Sequence, residues 1–181
     1  MQPLKLILLG IILTLTSHLF GGLPLFDSMP VPEYHYPRQT YLDIHEKFDK
    51  RVDPSEKVVC FDNYYVGLKF DSFKKQNAWF SEVRNHYFSK EVGESFDCDN
   101  FAFLYKALFT TASFKKNARG QILVGVILVE HTNEFLGLEE IAGKHALNII
   151  YTSNGWYVVE ARTGKFIEYK KYTNPITEYI F

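Results

Sequence analysis

Cys98, His145 and Glu160 are the three side chains whose types and order along the chain favour chemistry. Cys98 stands where a helix is expected to begin, and a helix start has unpaired backbone N–H groups and a positive dipole end. Both effects stabilise a thiolate, and the same N–H groups can hold an oxyanion during acyl transfer. In such chemistry a histidine takes the thiol proton and a carboxylate orients the imidazole, which are the roles expected for His145 and Glu160.

A helix and a hairpin must position these side chains. Between residues 95 and 109, capping residue types are followed by apolar residues at i, i+3, i+4, i+7 and i+8, which predicts a helix with Cys98 in its first turn. His145 opens a β-rich run over 145–152, and a return strand over 156–160 ends at Glu160. Asn154-Gly155 lies between the two runs and is a strong hairpin signal.

The geometry of this hairpin can be tested by counting residues. A two-residue turn at Asn154-Gly155 places Ile149 opposite Glu160. His145 shares a face with both, because side chains alternate along a strand. The four residues from His145 to Ile149 span roughly 13 Å, however, which is too far for a direct hydrogen bond. The alternation of side chains therefore supports a contact between His145 and Glu160. A longer loop or a bulge would have to shift the strand register to bring them within hydrogen-bond distance.

The order of the elements predicts an α+β fold. Besides the helix at Cys98, an amphipathic helix is expected over 73–88, and the later strands are expected over 121–130, 145–152, 156–160 and 166–169. Helices followed by a meander of antiparallel strands are typical of α+β domains rather than of alternating βαβ units. The 181 residues suffice for one domain, which we expect over 41–181.

Two short segments resemble the transglutaminase-like superfamily of cysteine peptidases and acyltransferases. Residues 97–102 (DCDNFA) resemble the "DCD-(D/N)-FA" segment of its small bacterial and phage members, and residues 145–148 (HALN) resemble their "HA-x-N" strand. Those members carry a glutamate, often within "EPQT", where this chain reads EART from Glu160. The resemblance covers roughly residues 60–170. It implies a papain/transglutaminase-like core, with a nucleophile-bearing helix packed on an antiparallel sheet.

The resemblance implies a thiol hydrolase or acyltransferase that acts on amide or peptide bonds. Cys98 is then the nucleophile, His145 the general acid/base and Glu160 the orienting carboxylate, and the substrate is a peptide or peptide-like molecule. Water as acceptor gives a peptidase or amidase, and an amine gives a cross-link. No metal or organic cofactor is implied. The alternatives are a catalytically inactive binding module on the same fold, favoured by the change to EART, and a structural protein with Cys98 in its core.

Other features of the chain limit these hypotheses. In an oxidising compartment Cys60 and Cys98 could form a disulfide, which would remove the nucleophile. The cysteines, histidines and aspartates show no recognised metal-ligand spacing. With 20 Lys and Arg against 21 Asp and Glu, the net charge is −1, which disfavours nucleic acid as a partner.

The first 26 residues predict export. Lys5 precedes a nearly unbroken apolar run, which is the pattern of a secretory signal peptide, and residues 6–26 are also long enough to span a bilayer. The next positive residue is Arg38, so the positive-inside bias places the rest of the chain outside the cytoplasm. The domain is then membrane-anchored if the segment is uncleaved, or periplasmic or secreted if it is cleaved. Residues 27–40 hold three of the seven prolines and are expected to form an extended linker.

Overall fold

A computed structural model of the chain describes residues 28–48, 57–60, 64–87, 97–113, 121–132 and 141–181. The helices in these ranges are α1 (Tyr41–Phe48), α2 (Phe70–Tyr87) and α3 (Cys98–Ala112), and a 3-10 helix covers Tyr169–Lys171. The strands are β1 (Tyr34–Thr40), β2 (Lys57–Val59), β3 (Tyr64–Leu68), β4 (Gln121–Ile122), β5 (Val124–Thr132), β6 (Ile141–Thr152), β7 (Gly155–Glu160), β8 (Lys165–Glu168) and β9 (Ile176–Ile180).

All the described strands belong to one nine-stranded mixed sheet. Its main path runs β1-β3-β6-β5-β9-β2, with β4 paired to β3 and with β7 paired to both β6 and β8. The pairs β2–β9, β3–β4 and β3–β6 are parallel, and the other pairs are antiparallel. The long strands β5 and β6 form the centre of this sheet, and the start of α3 lies against them.

Apolar residues cover both faces of the sheet because side chains alternate along each strand. On β6, Ile150 packs with the rings of α2 and α3, whereas Leu147 and Ile149 pack on the opposite face. That second face is covered by Phe48 of α1 and by the tyrosines of the C-terminal segment. Strands buried on both faces explain the nearly continuous apolar run in β5.

The prediction of a papain/transglutaminase-like α+β core with an antiparallel sheet is wrong. The sheet is mixed, and residues 176–180, for which no strand was predicted, form β9 between β5 and β2. The parallel pairing of β2 with β9 joins short segments near opposite ends of the domain. Such pairing leaves no local sequence signal, since strand register and neighbours depend on tertiary contacts.

Several individual elements agree with their sequence patterns. The helix predicted over 73–88 is α2, and the helix predicted at Cys98 is α3.

The amino-terminal segments differ from their sequence patterns or lie outside the described residues. Residues 34–40, inside the predicted linker, form β1 and pair with β3. Among the helices of the described ranges, none is long and apolar enough to cross a membrane. The signal peptide or anchor predicted over 1–26 lies outside those ranges.

Candidate functional site

Cys98 is the first residue of α3 and is half-buried. Asp97 precedes it in an extended conformation, and the Asp97 carbonyl accepts the Phe101 N–H at 3.1 Å as the helix begins. The Asp97 side chain does not cap the helix backbone; its Oδ1 accepts a 3.4 Å hydrogen bond from Asn100 Nδ2 instead. The side chain of Cys98 therefore lies at a helix start, where the local dipole favours a negative charge.

His145 and Glu160 form a buried pair. His145 Nε2 lies 2.6 Å from Glu160 Oε2, and each side chain is 1% exposed. A separation this short is typical of a charge-assisted hydrogen bond. The structure thus brings together the histidine and the carboxylate that the sequence singled out.

The strand register explains how the two side chains meet. The turn is Ser153-Asn154, because Thr152 pairs with Gly155, and the pairing continues to Asn148 and Val159. The next position places Glu160 beside Leu147 rather than Ile149. His145 is then two residues from the position opposite Glu160, a diagonal neighbour within reach of a long side chain. The two side chains share a face, as predicted. The offset along β6 between His145 and the residue opposite Glu160 is two residues, instead of the predicted four.

The turn after β7 holds the Glu160 carboxylate. The Arg162 backbone N–H donates to Glu160 Oε1 at 2.7 Å. The Glu160 carbonyl accepts the N–H groups of Thr163 and Gly164, at 3.2 and 2.8 Å. Gly164 has a φ of 72°, a conformation that favours glycine. The EART sequence, although it departs from "EPQT", therefore folds back on the carboxylate and fixes its orientation.

Asn148 connects α3 to the strand that carries His145. Its side chain is fully buried, and Nδ2 donates to the carbonyls of Ala102 and Gly125, at 2.9 and 3.1 Å. Ala102 lies one turn after Cys98, and Asn148 lies three residues after His145. This amide therefore holds the start of α3 against β6. Because side chains alternate along a strand, Asn148 and His145 point to opposite faces of β6, so the role of Asn148 is structural.

The thiol of Cys98 completes the cluster. A hydrogen bond with the His145 side chain lowers the pKa of Cys98, and a backbone hydrogen bond from Ala146 lowers it further. Burial and the Asp97 carboxylate act in the opposite direction, but the pKa remains below that of an ordinary thiol. The thiolate is therefore favoured by contacts from β6.

The imidazole of His145 bridges the other two groups. Burial opposes its charging, but hydrogen bonds to Cys98 and Glu160 outweigh burial and raise the pKa of His145 to about 9. Because Nε2 faces Glu160, Nδ1 is the ring nitrogen that is left for the thiol. Both pKa shifts favour a thiolate–imidazolium pair backed by a carboxylate.

Two residues of α2 that the sequence analysis did not single out also contact the site. Arg84 Nη1 donates to the Ala161 carbonyl at 3.1 Å, and Asn77 Nδ2 donates to the Gly164 carbonyl at 2.8 Å. Burial lowers the pKa of Arg84, while the negative charge of Glu160 opposes that shift. Both residues lie within a helix that was predicted only as an amphipathic segment, so no local pattern marked them.

Neither Cys60 nor Cys98 forms a disulfide. Cys60 packs against the cluster that contains Phe48, whereas Cys98 packs against Ala102 and Ala146. Across the part of the chain that the structure describes, no group of three or more His, Cys, Asp or Glu side chains could hold a metal ion.

Comparisons with known proteins concern the fold. No family model matches the chain, and no curated protein matches it. A solved complex of PSL1a with E64 is similar with a TM-score of 0.59 at 17% identity, covering 80% of this chain and 50% of that one. Polyporus squamosus lectin, bound to the human-type influenza-binding epitope Neu5Aca2-6Galb1-4GlcNAc, is similar with a TM-score of 0.55 at 17% identity, covering 80% and 49%.

This chain shares the fold of those two proteins. It spans about half the length of each solved chain that it matches. The fold likeness corrects the predicted function. The assignment to a thiol hydrolase or acyltransferase depended on a papain/transglutaminase-like core, whereas the fold is one found in a lectin, a class of binding protein.

The prediction of a cysteine peptidase, amidase or transglutaminase-like acyltransferase is therefore wrong, as is the broader prediction of a hydrolase or thiol protease.

Proposed function

We propose that this chain is a binding module without catalytic turnover, and that its ligand contacts the thiolate of Cys98. The observation that carries the proposal is the hydrogen-bonded chain from Cys98 through His145 to Glu160, with its 2.6 Å buried pair. Burying charged groups is costly, so a buried ion pair is weak evidence for stability alone. Cys98 is half-buried while its two partners are fully buried, so the sulfur is the atom of the cluster that a ligand reaches.

The proposed ligand is peptide-like. A thiolate accepts hydrogen bonds from the amide N–H groups of a ligand, and the positive dipole end at the start of α3 favours a ligand carbonyl oxygen beside it. A peptide presents both kinds of group along its backbone. E64, which the solved PSL1a structure names as its bound compound, is a peptide-like epoxide and serves as a probe for this chain.

A second candidate ligand is a carbohydrate, favoured by the glycan named with the Polyporus squamosus lectin. A cavity of about 230 Å³ is lined by Tyr169, Tyr172, Asn174 and Tyr179, among others. Tyrosine rings offer apolar faces with a polar tip, and an amide offers donors and acceptors, which suits a sugar ring. Burial, opposed by a hydrogen bond with Asn174 and assisted by the charge of Glu160, raises the pKa of Tyr172 to about 12.

Covalent labelling tests the thiolate site. The Cys98 thiolate is expected to attack an epoxide carbon of E64, forming an S–C bond while the C–O bond opens and the oxygen takes the proton of His145. Mass spectrometry should find one adduct per chain in the wild type and in Cys60→Ser, and none in Cys98→Ser. His145→Gln should slow labelling near neutral pH by about tenfold or more, since a pKa rise of one unit reduces the thiolate fraction that much.

Other outcomes of the same experiment would contradict the proposal. If Cys60 and Cys98 both react at the slow rate of the urea-unfolded chain, Cys98 is an ordinary thiol and the proposed thiolate site is contradicted. Cleavage of peptides in a mixed digest, lost in Cys98→Ser, would overturn the absence of turnover. Saturable binding of Neu5Aca2-6Galb1-4GlcNAc that Asn174→Ala abolishes, without E64 labelling, would favour the carbohydrate instead.

Export of the module is part of the proposal and follows from the apolar amino-terminal segment. A topology reporter fused after Phe181 of the full-length chain is expected to be active only outside the cytoplasm. Deleting residues 1–26 should retain the fusion in the cytoplasm. A cytoplasmic reporter on the full-length chain would contradict export.

A further inference from the structure

The side chain of Asn77 contacts both elements that carry the site. Asn77 lies in α2 and is 5% exposed. Its Oδ1 accepts the Tyr105 hydroxyl at 3.0 Å, and its Nδ2 donates to the Gly164 carbonyl at 2.8 Å. Tyr105 belongs to the helix that begins at Cys98, and Gly164 belongs to the turn that follows Glu160.

The orientation of this amide is fixed by its partners. A carbonyl oxygen only accepts hydrogen bonds, so Nδ2 must face Gly164 and Oδ1 must face Tyr105. Tyr105 is fully buried, and this burial raises its pKa well above the usual range, so the hydroxyl keeps its proton and remains a donor. The hydrogen bond with Tyr105 is buried and the one with Gly164 is partly buried, so the loss of either leaves a polar group poorly compensated by water.

The turn that Asn77 holds lies directly on α2. A side chain added at Gly164 would collide with Ser81 Oγ, and that hydroxyl donates to the Asn77 carbonyl at 3.0 Å. The same turn closes on Glu160 through the N–H groups of Arg162 and Gly164. A displacement of the turn therefore moves the carboxylate that orients His145.

We propose that Asn77 is a positioning residue that keeps the helix of Cys98 and the turn of Glu160 at the spacing where the imidazole contacts both groups. This inference rests on the proposed function, because it concerns the same thiolate. Asn77 touches none of the three site residues through its side chain, and it acts through Tyr105 on one side and through Gly164 on the other.

The pH profile of Cys98 alkylation tests this role in full-length chains that carry Cys60→Ser. In the parent, the rate with iodoacetamide should rise at a pH below the titration of an ordinary thiol. Asn77→Leu keeps the volume but removes both hydrogen bonds, and Tyr105→Phe removes one. Each should shift the inflection upward, and Asn77→Leu should slow alkylation near pH 6.5 by about tenfold, equivalent to one pKa unit.

Ser72→Ala is the matched control. Ser72 lies on the same helix as Asn77 and is also 5% exposed, but its Oγ accepts the Glu33 N–H at 2.9 Å, away from α3 and from the turn of Glu160. The control variant should lower stability and leave the inflection unchanged, which separates positioning from stability.

The outcomes distinguish the two proposals. An ordinary inflection in the parent overturns the thiolate site itself. A lowered inflection in the parent that persists in folded Asn77→Leu and Tyr105→Phe overturns only the positioning role. If Asn77→Leu does not fold, Tyr105→Phe decides by the same criterion. Failure of both to fold would show that Asn77 maintains the fold rather than the site, and would also overturn the role.

Discussion

Replacing His145 by alanine is expected to lower the free energy of unfolding by about 3 kcal/mol, because it leaves a buried carboxylate without its main partner. Glu160 is 1% exposed, and its Oε1 would retain the Arg162 N–H while Oε2 loses the imidazole. Urea denaturation near pH 6.5 measures the change. Lys170→Ala is the control, since it breaks an exposed ion pair with Glu168 and should change stability far less than His145→Ala.

The pH dependence of that cost has a defined sign. The pKa of His145 is about 9 in the folded chain, against an ordinary value of 6.5. A raised folded pKa contributes stability that is fully present below about pH 6.5 and is lost as the pH rises through about 9. The penalty of His145→Ala should therefore be largest in the acidic part of this window and should shrink above pH 9. A penalty no larger than that of Lys170→Ala at any pH would refute the buried pair.

A double variant gives an independent measure of the same pair. Replacing both His145 and Glu160 by leucine removes the two buried polar groups together, so no charge is left without a partner. This double variant should be more stable than His145→Ala. If the separate losses of His145→Leu and Glu160→Leu add up to the loss of the double variant, the two side chains do not interact.

Phe48→Ala is expected to destabilise the chain by about 4 kcal/mol, which is in the range for truncating a fully buried phenylalanine. The Phe48 ring is 0% exposed and contacts four other rings, at centroid distances of 4.6 to 5.5 Å. Those rings are Trp156, Tyr169, Tyr179 and Phe181. Truncation therefore leaves a cavity between α1 and the C-terminal segment.

Leu42→Ala is the matched control for Phe48→Ala. Leu42 lies on the same helix but is 63% exposed, so its loss should change stability by less than about 0.5 kcal/mol. Guanidinium denaturation of both variants makes the comparison. Equal effects in the two variants would show that α1 does not cover the sheet through Phe48.

Local patterns in the sequence determined several parts of this structure. The apolar spacing after Cys98 predicted α3, since one face of a helix must be buried. The alternation along β6 and β7 predicted that His145 and Glu160 share a face, since strand side chains alternate with a period of two. These features depend on residues that are close together in the sequence, so local patterns reveal them.

Tertiary structure decided the register and the sheet. Asn154-Gly155 predicted a turn one residue later than the observed Ser153-Asn154, where Thr152 Oγ1 accepts the Asn154 N–H at 3.1 Å. That shift, which turn propensity alone did not specify, moves Glu160 two residues closer to His145. The pairing of β9 with β2 and β5, and the reach of Asn77 to Tyr105 and Gly164, join distant segments whose residues carry no local mark of their partners. In the folded chain these contacts give buried polar groups their hydrogen-bond partners, which is a requirement that only the tertiary structure can meet.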